Sequence, residues 1–104
     1  MMVRMRSGCA VPYQWHSPSE ELVLLKGEII AQLMGDKALR FGSGSYIQLP
    51  SGRPHRFACV SEEDCVLFNV ADAAFDIHFV DDQGQSISVD EAMSNVNEDP
   101  VENW

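Results

Sequence analysis

Basic residues are scarce in this chain: 7 Lys and Arg stand against 16 Asp and Glu in 104 residues, a formal net charge of -9. Such a balance repels phosphate backbones and anionic bilayers, so neither nucleic acid nor a membrane is expected as a partner. Long apolar runs are missing too. No stretch approaches the roughly eighteen residues of a spanning helix, and Met1 to Arg6 lacks the apolar centre of a secretory signal. The expected setting is therefore soluble and cytoplasmic. Cysteine is limited to Cys9, Cys59 and Cys65, an odd number without CxxC spacing, which supports neither a disulfide framework nor a thiolate zinc site. All three are expected to be reduced packing thiols.

What is present suffices for one core. Hydrophobic residues make up 45% of a length that holds a single domain. The acidity is lopsided, because residues 81–104 carry seven acids and no base, whereas residues 1–80 are nearly balanced. This divides the chain into a folded domain over 1–85 and an acidic C-terminal tail over 86–104. The tail is a solubilising segment in which Ser88 caps one short helix running to about Val96, with Glu91 at the capping-box position. Beyond it the chain is expected to fray.

Between Leu22 and Val80, short apolar runs are each closed by a turn within about ten residues, the spacing of an all-β sandwich or barrel. The runs are 22–25, 29–34, 38–41, 46–49, 55–60, 65–70 and 75–80, separated by Gly, Pro or acidic clusters. Several are apolar on both faces, so a second sheet or a second subunit must cover them, and a homodimer is expected.

Strand alternation places Gln14 and His16 on one face and Tyr13 and Trp15 on the other. Pro18 breaks any helix between His16 and Glu20, and parity puts Glu20 with Leu22 and Leu24, selecting it over Glu21 as the inward acid. The turn Pro50-Ser51-Gly52-Arg53-Pro54 sets the register of a strand in which His55, Phe57 and Cys59 share a face. An imidazole on that face needs a partner for its ring nitrogens, and a metal supplies one. His16, Glu20 and His55, with Gln14 as a fourth oxygen ligand, suit a divalent transition metal: iron, manganese, nickel, cobalt or zinc. His78 alternates away from Phe75, Ile77 and Phe79 and is left outside the site. Arg53 and Arg56 are read as surface residues. Parity alone does not choose between Tyr46 with Gln48 and Ile47 with Leu49 as the pocket-facing pair.

Gly8, Gln14, His16, Glu20 and Gly27, followed by Gly44, Pro50, Gly52 and His55, resemble the two motifs of the cupin superfamily. Gln14 stands at the first histidine of the family pattern, and Cys59 at its usual asparagine. The segments 20–27, 34–37 and 75–80 are similar to a subgroup of small bacterial cupins. The resemblance implies a small antiparallel double-stranded β-helix, jelly-roll-like, with a divalent metal near its mouth. It also implies a small-molecule ligand or substrate. The chain begins only seven residues before Gly8, where cupins have earlier strands, so Met1 to Arg6 is expected to pair across a dimer interface. Cupins include dioxygenases, isomerases, lyases and non-catalytic binding proteins, so the expected function is a metal-binding cupin acting on a small organic molecule, with a non-catalytic binding or sensing module as the alternative.

Overall fold

Alternating inward apolar residues and frequent turns build nine strands. The computed structural model describes residues 1–104. Its strands are β1 (Met2–Met5), β2 (Ala10–Trp15), β3 (Glu20–Lys26), β4 (Ile29–Leu33), β5 (Leu39–Phe41), β6 (Tyr46–Leu49), β7 (His55–Cys59), β8 (Cys65–Ala71) and β9 (His78–Phe79). One helix, α1 (Val89–Glu98), and a 3-10 turn, Val101–Asn103, follow. The strands form two antiparallel sheets with orders β1-β8-β3-β6 and β5-β4-β7-β2-β9. This is the all-β barrel that the turn spacing indicates. No helix is long and apolar enough to cross a membrane.

The core lies between the sheets. Leu22 and Leu24 of β3, Ile29 of β4, Ile47 and Leu49 of β6, Phe57 of β7 and Leu67 of β8 point into it. Each fully buried side chain of this kind contributes about 1.5–3 kcal/mol. The open parity question at β6 is thereby answered: Ile47 and Leu49 are inward, and Tyr46 is exposed. Gly27 is required at the tight turn between β3 and β4, where φ is +91° and a Cβ would sit 2.8 Å from Cys65 Sγ.

Four expectations need correction. Met2–Met5 pairs antiparallel with β8 of its own chain, Met2 opposite Phe68 and Met5 opposite Cys65, so the pairing expected across a dimer is satisfied internally. Cys59 and Cys65 are not free thiols but form a disulfide, with Cα atoms 6.0 Å apart. They end β7 and begin β8, and the short turn between these strands brings both inward, which no CxxC rule detects.

The run 75–80 is a strand only at His78–Phe79. Residues before it leave the ladder because the Asp76 carboxylate accepts hydrogen bonds from the Ser17 backbone N–H and hydroxyl instead. The tail does not fray. Ser88 caps α1 by accepting from the Glu91 N–H as expected, but the helix continues to Glu98. Arg56 then pairs with Asp99 at 2.8 Å and lies 4.0 Å from the Trp104 ring centre and 4.6 Å from that of Tyr13. These contacts pin the C-terminus to the outer face of β7 and β2. By contrast, the outer face of the four-stranded sheet carries an exposed cross-strand row of Met2, Phe68 and Tyr46, with half-buried Val23 between the last two.

Thiol titration of the unfolded protein without reductant is expected to count only Cys9. Reduction is expected to lower stability by about 2 kcal/mol through the entropy of the short loop, read as a shift of the urea midpoint. Three reactive thiols would contradict the bridge.

Candidate metal centre

The site forms where β2 ends and β3 and β7 begin. Gln14, His16, Glu20 and His55 are all buried. Gln14 and His16 project from the same face, while Trp15 turns outward to stack on His78 at 4.0 Å between ring centres. A bend through Ser17 and Pro18 carries the chain from His16 to β3 without a helical turn. In β3, Glu20 is 3% exposed and Glu21 faces solvent, as parity requires. His55 opens β7 directly after the 50–54 turn and sits opposite Gln14 in the ladder.

One ligand atom from each of His16, Glu20 and His55 lies within 4.8 Å of the others. Donors about 2.1 Å from a tetrahedral ion stand about 3.4 Å apart, so inward shifts of at most about 0.8 Å each bring the three onto one ion. The Gln14 Nε2 donates to the Pro12 carbonyl at 3.5 Å. Its carbonyl oxygen, the atom that a metal would use, is left without a protein partner.

Hydrogen bonds fix which ring nitrogen each histidine offers. His16 Nδ1 lies 2.7 Å from the Asp76 carbonyl oxygen and His55 Nδ1 lies 3.0 Å from the Arg53 carbonyl oxygen. A carbonyl only accepts, so both Nδ1 atoms carry the proton and both Nε2 atoms keep a lone pair. His55 Nε2 is buried with no hydrogen-bond partner at all. Leaving such an atom unsatisfied costs about 1–3 kcal/mol. A metal ion bound there removes that cost, and the donor set fits one. Glu20 accepts from Asn69 Nδ2 at 2.5 Å through one oxygen, leaving the other for the cluster.

Burial shapes the charges. It pushes the His55 imidazole down to about 4, against a rise from its backbone bond to Arg53 and with a further lowering from nearby His16. Burial also lowers His16 and raises Glu20, the Asn69 hydrogen bond opposing the latter. Hydrogen bonds from Ser17 and His78 hold the Asp76 carboxyl far below its ordinary range. Asp76 thus stays ionised and anchors the loop whose carbonyl orients His16. Phe75 of that loop lies over the His16 ring at 4.3 Å between centres.

Sequence reasoning missed Asn69, Phe75 and Asp76. Asn69 was detectable, because it follows Cys65 and Leu67 on the inward face and a lone amide there demands a partner. Asp76 reaches His16 across sixty residues of chain, and no local pattern announces that contact. Arg53 and Arg56 are both engaged away from the cluster, the first with Asp36 and the Met34 carbonyl, the second with Gln32 and the tail. His78 pairs with Asp76 and stays outside the cluster.

A family model described as a cupin domain matches residues 1–71. The chain belongs to the cupin family. Among solved structures, this cupin is similar to an oxalate oxidase with TM-score 0.70 and 19% identity, covering 76% of this chain and 44% of that one. A chain from a study of DMSP lyases matches with TM-score 0.68 and 16% identity, covering 77% of this cupin and 42% of the lyase. A double-stranded β-helix protein from Klebsiella pneumoniae gives TM-score 0.64 and 14% identity, with 73% and 70% covered. The chain therefore spans less than half of the two enzymes. Identities this low establish the shared fold alone. No curated protein matches the sequence.

The depressed His55 pKa has a consequence for stability. The unfolded ring takes a proton below its ordinary 6.5, whereas the folded ring stays neutral until about 4. Its contribution is therefore full above pH 6.5 and lost as pH falls through 4, a change of about 3 kcal/mol. Urea midpoints of the metal-free protein are expected to drop across this window, and to drop less in His55→Gln. Equal drops in both proteins would contradict the assignment.

Proposed function

We propose that this cupin holds one divalent transition metal ion through His16, Glu20 and His55, with Gln14 at a fourth position, and binds a small organic molecule beside it. The observation that carries the reading is the pair of buried imidazoles whose Nδ1 protons are given to backbone carbonyls, leaving both Nε2 lone pairs beside one carboxylate. A carboxylate and two imidazoles accommodate iron, manganese, nickel, cobalt or zinc and leave coordination positions for water or substrate. When bound, such an ion supplies Lewis acidity to a substrate oxygen.

The surrounding residues position the ligands. Asp76 and Arg53 set the two tautomers, Asn69 orients Glu20, and Phe75 shields the His16 side from water. Oxalate oxidase, which has been captured with the substrate analogue glycolate, and DMSP lyases share the fold, so the scaffold serves both oxidase and lyase chemistry. A non-catalytic binding or sensing role is the second reading. It is favoured by the lack of another acid in the cluster, where Glu20 is the single carboxylate and is assigned to the ion. The uncovered row of Met2, Phe68, Val23 and Tyr46 supports the homodimer expected from the two-faced strands.

Elemental analysis of protein purified without chelators is expected to find about one equivalent of a transition metal, falling below roughly a tenth in a His16→Ala, His55→Ala double variant. Asn69→Ala, which frees Glu20 to rotate, is expected to weaken zinc affinity about 10–100-fold in a competition titration with a chelating dye. Metal content unchanged by the double variant would overturn the reading.

A further inference from the structure

A cavity of about 270 Å³ lies between β5 and β6, the edge strands of the two sheets, and reaches His55. Its walls include Leu33, Phe41, Ile47 and Phe57. At about 30 Å³ per water-sized group, it has room for roughly nine non-hydrogen atoms. That is below the size of an ordinary cofactor.

Charge narrows the class of occupant. Arg4, Lys26, Arg40, Arg53 and Arg56 are each ion-paired with an acid. Of the two remaining bases, Arg6 lies elsewhere and Lys37 lines this cavity. Asp36 also lines it, but the Arg53 guanidinium sits 3.3 Å from its carboxylate and offsets that charge. An unpaired ammonium beside apolar walls, in a protein of net charge -9, is a selective feature: it favours an anion with a carbon body over a cation or a neutral polar solute.

We propose that this cavity takes a short organic carboxylate, its carboxylate at Lys37, its carbon chain against Phe41, Ile47 and Phe57, and its far end toward His55. The proposal rests on the metal-centred reading only for what happens at that inner end. Lys37 is exposed and in no ion pair, so replacing it leaves the core intact.

The test uses hexanoate as probe and 1-hexanol as its neutral counterpart, titrated into chelator-treated and zinc-loaded protein and followed by backbone amide shifts. Hexanoate is expected to saturate shifts at Leu39, Phe41, Ile47 and Gln48 in the chelator-treated protein. Lys37→Met is expected to weaken hexanoate about fivefold, the upper range for an exposed ion pair, and to leave 1-hexanol unchanged. Equal affinity for hexanoate and 1-hexanol, or for the parent and Lys37→Met, overturns the carboxylate assignment. Shifts that fail to appear or to saturate at these residues overturn the site itself. Saturation by hexanoate in a protein that binds no zinc upholds the cavity while refuting the metal reading. Zinc binding without hexanoate saturation does the reverse.

Discussion

Two backbone carbonyls govern this site. By accepting the Nδ1 protons of His16 and His55, the carbonyls of Asp76 and Arg53 oblige both rings to present unprotonated Nε2 atoms inside the barrel. Without those bonds either ring could hold its proton on Nε2 and offer nothing to a cation. The sheets place the rings, with centres 4.9 Å apart, and the carbonyls decide what chemistry they can do. Burial then keeps both rings neutral over the physiological range, which is the form that ligates.

The rest of the fold keeps these carbonyls where they are. Arg53 belongs to the turn that starts β7, and its guanidinium is tied to Asp36 and the Met34 carbonyl at the end of the β4 hairpin. Asp76 is held from the other direction by Ser17, one residue after His16, so the loop that orients the ring is fastened to the ring's own strand. At the opposite end of the barrel, the Cys59–Cys65 bridge joins β7 to β8, and Gly27 permits the close approach of the β3–β4 turn. The helix and Trp104 cover the outer face of β2 and β7. β2 and β7, which bring Gln14 and His55 to the cluster, are thus braced from outside as well as within.

Strand parity made much of this legible. Period-two alternation alone separated Glu20 from Glu21, placed Gln14 with His16, and put His55 on the face of Phe57, because a sheet with one buried face leaves no freedom in which side chains turn inward. Ser88 and Glu91 announced the helix start for an equally local reason. What escaped was non-local. The pairing of β1 with β8, the reach of Asp76 to His16 and the docking of Trp104 on Arg56 each join residues far apart in sequence, and their existence depends on the finished barrel. The disulfide escaped for a subtler reason: its spacing is that of two strand ends across a turn, which composition rules do not treat as a pairing signal.

The tautomers of His16 and His55 provide the most direct examination of the central claim. Long-range nitrogen–proton correlation spectra of the metal-free protein near pH 7.5 are expected to show Nδ1–H, with Nε2 unprotonated, in both rings, and added zinc is expected to shift the two Nε2 resonances together. A proton on Nε2 of either ring, or zinc that perturbs only one of them, would contradict the account.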